Sequence, residues 1–190
     1  ARVAVTGADQ IVKVDGKALA PLTAVTVPAG HTIDIGPART GRFGYLAVAG
    51  GLAVPLQLGS MALHLRAEIG GIEGRALREG DRLALLLSQP SGEDLAAAQD
   101  ISRDSGPIRV VLGPQDDYFS KSGIATFLSA AYTVTPQADR MGTRLAGPKI
   151  EHGPKGYNIV SDGIATGSIQ VPGMGEPLVL LADRQTTGGY

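Results

Sequence analysis

The chain has 190 residues, a net charge of −1 and no cysteine. Its length suits one domain or two small lobes, and the lack of cysteine excludes disulfide bonds, thiolate catalysis and thiolate metal sites. Lysine and arginine are spread along the chain without a basic stripe, which argues against nucleic-acid binding. The longest apolar runs, 83–87 and 178–182, are too short to cross a membrane. We expect a cytoplasmic protein without membrane contact.

The first half of the sequence alternates between apolar and polar residues in short runs that end at glycine or proline. This pattern predicts short strands joined by tight turns. The dipeptide Asp15-Gly16 favours a type I′ hairpin turn, because both central residues of that turn need a positive φ. The runs with the pattern of strands lie at 3–5, 11–14, 24–27, 32–35, 43–49 and 82–85.

Residues 88–106 are the clearest break in the pattern, since they are polar and rich in alanine. We interpret this stretch as a connection between two sub-lobes, about 1–87 and 107–190, of one domain that covers residues 1–190.

The second half contains one convincing helix, from about Ser120 to Ala130. Ser120 is a favourable N-cap because its hydroxyl can accept a hydrogen bond from an amide of the first turn. Ile124, Phe127 and Leu128 fall on one helical face, which can pack on a sheet. Together with the surrounding apolar runs, this order favours an all-β barrel with a helix beside it. Those runs, each predicted to be a strand, lie at 108–112, 132–135, 144–145, 169–171 and 178–181.

Familiar catalytic motifs are absent from the sequence. There is no phosphate-binding Gly-rich loop with Lys-Ser/Thr, no GxSxG elbow and no HExxH helix. His31, His64 and His152 are far apart and lack metal-ligand spacing, so we interpret each as a surface or turn residue. We therefore predict no metal site.

Three polar clusters, at 113–117, 135–142 and 182–189, each follow an apolar run, and all three contain glutamine and aspartate. The amide of glutamine can donate and accept hydrogen bonds at once, and the guanidinium of arginine can hold a carboxylate in a bidentate manner. These groups suit a substrate with amide and carboxylate functions. The alternative is that the clusters are solvated loop ends with local hydrogen bonds.

Six stretches of the sequence resemble signature blocks of the allophanate hydrolase subunit 2 family, which is also known as the family of KipA and of the C subunit of 5-oxoprolinase. The resemblance runs in order and spacing from near residue 1 to residue 190. The stretches are Arg42–Gly51, Gly70–Leu77, Gly113–Asp117, Thr133–Gly142, Ile169–Gly173 and Asp183–Tyr190.

The resemblance implies a cyclophilin-like β-barrel that works in a complex. The implied partner is a subunit 1 protein, similar to KipI or to the B subunit of 5-oxoprolinase, with a third subunit or a biotin carboxylase in some assemblies. The implied activities are ATP-dependent opening of 5-oxoproline and transfer of a carboxyl group from carboxybiotin to urea. No cofactor bound by this chain itself is implied, since ATP is used by the complex and carboxybiotin is delivered by a partner.

The sequence departs from the family pattern in two ways. Members usually carry about 70 further residues before the point where this chain starts and some tens of residues after its Gly-Gly-Tyr end. We therefore expect a chain that lacks these two segments. At 59–66 the family more often has a polar Ser/Thr-Asp pair, whereas Met61–Leu63 makes this loop more apolar.

The resemblance carried onto the polar clusters gives the candidate site. Arg140 and Arg184 would anchor a carboxylate or carboxybiotin, and Asp116 or Asp139 would act as general base if its pKa were raised. Backbone amides at Gly188 and Gly189 would stabilise an oxyanion. The remaining candidates are substrate-binding residues: Gln115, Gln137, Asp183, Gln185 and Thr186, the last of which is equally suited to capping a turn.

A rival hypothesis is that the chain is a non-catalytic regulatory module of the KipA type, which binds a KipI-like inhibitor of a sensor kinase. Fold alone does not decide between the two, because members of the family differ in this respect. A stand-alone cyclophilin-type prolyl isomerase is a third and weaker alternative.

Overall fold

The computed structural model describes residues 1–86, 92–97 and 106–188. The chain divides into two compact units, Ala1–Ser105 and Gly106–Tyr190. Most of the predicted connection, at 88–91 and 98–105, lies outside the described residues. The described part of this connection is not simply a linker, because Leu95–Ala96 form a short strand that pairs with Thr23–Ala24.

The first unit is built from antiparallel strands in two sheets. The strands are β1 (Arg2–Asp9), β2 (Val12–Val14), β3 (Lys17–Ala18), β4 (Thr23–Thr26), β5 (Ile33–Ile35), β6 (Thr40–Val48) and β7 (Leu95–Ala96). One sheet has the strand order β6-β1-β4-β7 and the other has the order β3-β2-β5.

The hairpin between β2 and β3 confirms the predicted turn. Asp15 has φ 49° and Gly16 has φ 80°, so both central residues are in the left-handed region that a type I′ turn requires. The Asp15 carboxylate also accepts a hydrogen bond from the amide of Thr32 at 2.9 Å and pairs with His31. His31 is exposed and follows the turn at 29–30, in line with the prediction of a surface or turn residue.

The long strand pair β1–β6 contains a bulge at Gly7, where the register shifts before Asp9. Gly7 has φ 92°, and a Cβ atom there would collide with the carbonyl oxygen of Phe43. Only glycine fits both the backbone conformation and this close approach.

Residues 49–86 form a succession of tight turns, and the strand predicted at 82–85 is wrong. Of these four residues, only Leu85 forms a β-bridge among the described residues, an isolated bridge to Leu52. The alternation at 82–85 resembles a strand, but a strand also needs a neighbour along its length to satisfy its backbone groups. His64 lies in one of these turns, where its Nδ1 accepts from the amide of Ala67 at 3.2 Å.

The second unit combines short strands with one α-helix. The elements are the 3₁₀-helix Asp116–Tyr118, the helix α1 (Lys121–Ser129), and the strands β8 (Thr133–Ala138), β9 (Gly142–Ala146), β10 (Asp162–Gly163), β11 (Ile169–Gln170), β12 (Leu178–Leu180) and β13 (Thr187–Gly188). The larger sheet of the unit has the order β11-β12-β9-β8, and β10 pairs with β13.

The helix α1 begins where the sequence predicted. The Oγ of Ser120 accepts a hydrogen bond from the amide of Gly123 at 2.9 Å, so Ser120 is the N-cap. The glycine inside the helix has a packing reason, because a Cβ on Gly123 would collide with the carbonyl oxygen of Glu151. The chain at Glu151 therefore crosses the first turn of the helix at backbone distance.

The strand predicted at Ile108–Leu112 is also wrong. These residues adopt no regular structure, and the side chains of Ile108 and Val111 are 90% and 96% exposed. The apolar composition is that of a strand, yet no described strand pairs with this segment. Without a neighbour it can bury neither its side chains nor its backbone groups.

The class predicted from the sequence, mostly β with one or two short helices, is confirmed by these elements. Among the described residues each sheet is open, since its two edge strands do not pair with each other. The cyclophilin-like barrel remains what the family resemblance implies. Each unit has a small core, around Val3 and Val27 in the first and around Ile150 and Leu180 in the second. Within the described ranges, no helix has the length and apolar character needed to span a membrane.

Candidate functional site

The second polar cluster forms the tight turn of the β8–β9 hairpin. Oδ1 of Asp139 accepts hydrogen bonds from the amides of Met141, at 2.8 Å, and Gly142, at 3.2 Å. The amide of Asp139 donates to the carbonyl of Gly142 at 3.1 Å and closes the turn. Asp139 therefore shapes the turn, as aspartate commonly does through its own side chain. Arg140 lies at the tip of this turn.

The third polar cluster, which follows β12, lies directly beside this turn. The amide of Leu181 donates to the carbonyl of Met141, and the amide of Asp183 donates to the carbonyl of Arg140, both at 2.9 Å. These two bonds extend the β9–β12 pairing beyond the ends of both strands. As a result, Arg140 and Asp183 face each other across the two segments.

An ion pair joins the two clusters. Nη2 of Arg140 donates to Oδ1 of Asp183 at 2.9 Å, and the side chains are 50% and 21% exposed respectively. Within the described residues, the Arg140 side chain makes no other hydrogen bond. A guanidinium carries five N–H donors, so most of those on Arg140 remain available to a ligand.

The chain after Asp183 adds further polar groups. Nε of Arg184 donates to the carbonyl of Ile164 at 3.0 Å, and the amide of Ile164 donates to the carbonyl of Thr186 at 2.9 Å. Nε2 of Gln185 lies 3.4 Å from Oε1 of Gln170 on β11. Arg184 therefore fixes a neighbouring loop, whereas Gln185 and Gln170 form an amide pair.

Gly188 closes this part of the unit through β13, where it pairs with Asp162. A Cβ atom on Gly188 would approach Cδ1 of Ile164 to 2.8 Å, so glycine allows the two segments to pack closely. The amide role predicted for Gly188 and Gly189 remains a prediction, and Gly189 lies outside the described residues.

The first polar cluster has its contacts elsewhere in the unit. Asp116 and Asp117 form the 3₁₀-helix, and the Asp117 carboxylate pairs with the ammonium of Lys155. This hydrogen bond raises the pKa of Lys155. The Lys155 ammonium also lies 5.3 Å from the centre of the Tyr118 ring, in a cation–π arrangement.

The structure thus joins the second and third predicted clusters and connects the first to 151–155 instead. Arg140, Asp183 and the turn residue Asp139 lie together, whereas the side chain of Gln185 pairs with Gln170. Among the described residues, Gln115 and Asp116 make only local backbone hydrogen bonds. Gln137 lies in the part of β8 where the register to β9 shifts, next to Pro136, which cannot donate a backbone hydrogen bond.

Two polar residues near these clusters were missed by sequence reasoning. Gln170 partners Gln185, and the signal for it was its place in the block Ile169–Gly173. His152 is not the surface or turn residue that was predicted. It is partly buried, its ring stacks on Phe119 at 5.1 Å, and its Nδ1 is buried without a hydrogen-bond partner among the residues that the structure describes. Because Nε2 lies 3.1 Å from the carbonyl of Pro172, which can only accept, the proton is on Nε2.

Comparison with known proteins places these observations in a wider context. The profile of the family described as "Carboxyltransferase domain, subdomain A and B" matches residues 1–190. The chain is 36% identical to the C subunit of 5-oxoprolinase from Haemophilus influenzae over 98% of this chain and 59% of that protein. It is 35% identical to the C subunit of 5-oxoprolinase from Escherichia coli, over 98% of this chain and 60% of that protein. The chain thus spans less than two thirds of the length of these relatives.

The similarity extends to urea amidolyases and to solved structures. The chain is 30% identical to urea amidolyase of Saccharomyces cerevisiae, over 99% of this chain and 11% of that protein. The crystal structure of TTHA0988 superposes on the whole chain with a TM-score of 0.82 at 34% identity, using 36% of that chain. The urea amidolyase of Kluyveromyces lactis does so with a TM-score of 0.81 at 25% identity, using 13% of that chain.

Proposed function

Because the chain belongs to the carboxyltransferase domain family, subdomain A and B, we propose that it forms part of an enzyme assembly acting on a small lactam or ureido compound. The leading substrate is 5-oxoproline, since the curated relatives with 36% and 35% identity are both named as the C subunit of 5-oxoprolinase. Urea or allophanate is the second substrate, on the similarity to urea amidolyases.

The observation that carries this proposal is the contact between Arg140 and Asp183. The ion pair fixes the guanidinium at the tip of a tight turn while leaving it half exposed. An arginine held in this way loses less conformational freedom when it binds an anion, so more of the interaction is expressed as affinity. The carboxylate of 5-oxoproline, or a carboxyl group carried by biotin, suits this group.

The amide pair Gln185–Gln170 supports recognition of a lactam or urea. In each glutamine one end of the amide faces the other glutamine, which leaves the opposite end to donate or accept. A lactam presents one N–H and one carbonyl, so it needs one acceptor and one donor. These two side chains can supply that combination.

The proposed roles of the aspartates differ from one another. Oδ1 of Asp139 already accepts two amide hydrogen bonds, so we assign Asp139 to the shape of the turn and not to proton transfer. Asp183 positions Arg140. No contact among the described residues joins Asp116, on the 3₁₀-helix, to Arg140 or Gln185, so its role as general base stays a prediction. Its test is the pH profile of turnover in Asp116→Asn.

The proposed assembly includes a partner of the subunit 1 type, because the relatives are named as one subunit of 5-oxoprolinase. ATP would be used by the complex. Carboxybiotin, if the reaction is a carboxyl transfer, would be delivered by a biotin-carrying partner. Arg140 is the residue of this chain that would bind the carboxyl group of carboxybiotin.

The decisive experiment is steady-state ATP hydrolysis by the full-length protein reconstituted with its partner subunits. The substrates to compare are 5-oxoproline, urea and none. Stimulation by 5-oxoproline that disappears when this protein is omitted supports the leading proposal. Stimulation by urea alone, dependent on a biotinylated carboxylase, identifies a carboxyltransferase. Tight assembly with no stimulation by either substrate overturns both.

The regulatory module remains the second candidate function, and the segment Ile108–Leu112 favours it. This apolar segment is largely exposed and lacks a strand partner among the described residues, which is typical of a surface that receives another chain. The test is Val111→Lys. A docking module loses assembly with its partner, whereas an enzyme that docks elsewhere keeps it.

A further inference from the structure

The first unit contains a cleft of about 310 Å³, and none of the predicted site residues lines it. Its walls come from three segments that are separate in the sequence. These are 52–55, the turn 71–73, and 82–84, with Gln57 at one side.

Backbone hydrogen bonds fix the walls of the cleft. The amide of Ala53 donates to the carbonyl of Ala84 at 2.8 Å, and Leu52 bridges to Leu85. Oε1 of Gln57 accepts from the amide of Gly70 at 2.8 Å, which ties Gln57 to the turn. Gly70 has φ 80°, and a Cβ there would collide with the carbonyl of Ala62, so this close approach requires glycine. The cleft is therefore formed before any ligand arrives.

The charges at the cleft are unequal. The carboxylate of Glu73 is engaged by Arg75, whose Nε and Nη2 lie 3.0 and 2.9 Å from Oε2. Arg82 also lines the cleft, and its guanidinium makes no ion pair or hydrogen bond with any described residue. Because Arg75 also pairs with the carboxylate of Asp81 at 2.8 Å, its one positive charge is shared between two carboxylates. Arg82 is the cation of the cleft without a partner in the part of the chain that the structure describes.

The remaining polar group is also a donor. Because Oε1 of Gln57 is occupied by Gly70, the NH₂ of Gln57 is the end that a ligand can meet. The rest of the lining is largely aliphatic, from Leu52, Val54 and Ile72. Two donors set among aliphatic side chains match a ligand with an anionic acceptor group and an apolar body.

We propose that this cleft binds a small organic carboxylate. The carboxylate pairs with the guanidinium of Arg82 and accepts from the NH₂ of Gln57, while the apolar body contacts Leu52, Val54 and Ile72. The volume is at the lower end of the range for ligand pockets, so the ligand is a small molecule and not a nucleotide. The proposal uses residues other than those of the proposed function, and either can fail without the other.

The test is to titrate ligands into the full chain and to monitor binding by calorimetry and by amide chemical shifts. The probes are cyclopentanecarboxylate and the neutral, nearly isosteric cyclopentanecarboxamide. We expect the carboxylate to bind at least tenfold more tightly, and Arg82→Gln to abolish this preference. Arg78→Gln is the matched control, because Arg78 is close in the sequence, does not line the cleft and carries the same charge.

A second variant keeps the proposal testable if Arg82→Gln lowers the yield of folded protein. Gln57→Glu keeps an oxygen for the amide of Gly70 but replaces the donor with a negative charge, so it should weaken carboxylate binding at least tenfold. Equal loss in Arg78→Gln and Arg82→Gln would show non-specific attraction and overturn the proposal. Equal binding of the carboxylate and the carboxamide would also overturn it, as would shift changes confined to residues 106–188.

Discussion

Arg140 and Asp183 are 43 positions apart in the sequence, yet Nη2 of one donates to Oδ1 of the other at 2.9 Å. Two backbone hydrogen bonds between the same segments hold this arrangement. An exposed ion pair on its own contributes little to stability. The Arg140–Asp183 pair instead matters because it fixes the position of a half-exposed guanidinium.

Arg140→Ala should therefore reduce turnover far more than stability. A charge-assisted hydrogen bond to a substrate is worth about 1.5–3 kcal/mol, which corresponds to a loss of roughly ten- to a hundredfold in kcat/KM. The free energy of unfolding should fall by less than about 1 kcal/mol, because the pair is exposed. The measurements are substrate-stimulated ATP hydrolysis by the reconstituted complex and urea denaturation.

The matched control for Arg140→Ala is Arg39→Ala. Arg39 forms a similarly exposed ion pair, with Asp9 at 3.1 Å, in the first unit. It should change neither turnover nor assembly. If Arg140→Ala leaves turnover unchanged but weakens assembly, Arg140 is a docking residue and the catalytic proposal is wrong.

Asp81→Asn should change how stability depends on pH. The bidentate hydrogen bonds from Arg75, at 2.8 and 2.9 Å, and the amide of Arg78 lower the pKa of Asp81 to about 2 from its ordinary 3.8. The folded state therefore favours the carboxylate. Its stabilising contribution is complete above about pH 4 and is lost as the pH falls through 2.

We expect Asp81→Asn to be less stable than the wild-type chain at pH 6, with the difference shrinking between pH 4 and pH 2. Urea midpoints measured across this range check the prediction. Asp34→Asn is the control, because Asp34 has no ion pair among the described residues. A difference that stays constant from pH 6 to pH 2 would mean that the ion pair does not cause the effect.

Ser120→Ala should destabilise the second unit by about 1 kcal/mol. The variant removes the acceptor for the amide of Gly123, which then lacks its cap. It also removes a hydrogen bond of 2.7 Å to Oε2 of Glu151, a carboxylate whose pKa is lowered by Ser122 and by Ser120. Urea denaturation followed by circular dichroism measures the loss.

Ser129→Ala provides the comparison for the cap. Ser129 Oγ donates to the carbonyl of Ala125, one turn earlier in the same helix. Such a bond contributes little or slightly disfavours a helix, so this variant should be neutral or slightly more stable. Equal destabilisation by both variants would show that the position of the serine in the helix is irrelevant.

Gly123→Ala should be destabilising, although alanine is the better helix former by up to about 1 kcal/mol. The added Cβ would collide with the backbone of Glu151, and such overpacking typically costs about 1–3 kcal/mol. Gly163→Ala is the control, because a Cβ at Gly163 meets nothing within 4 Å. A more stable Gly123→Ala variant would show that the crossing segment moves away freely.

Local features of the sequence predicted local features of the fold. The turn at Asp15-Gly16 and the helix start at Ser120 follow from the chemistry of one or two residues, and both were confirmed. The strands at 82–85 and Ile108–Leu112 were not, because a strand is defined by its neighbour as much as by its own pattern. The same limit applied to His152, whose burial depends on Phe119 and Pro172.

The sequence by itself determined the mostly-β class, the turn chemistry, the helix α1 and the three polar clusters. Only the tertiary structure decided that Arg140 meets Asp183, that the first cluster turns instead to Lys155, and that Arg82 lines a cleft without a partner among the described residues. The physical reason is the distance along the sequence between the groups that interact. A cap or a turn is settled by backbone groups within a few residues, whereas an ion pair across 43 positions forms only once the sheet has set the register of the strands that carry it.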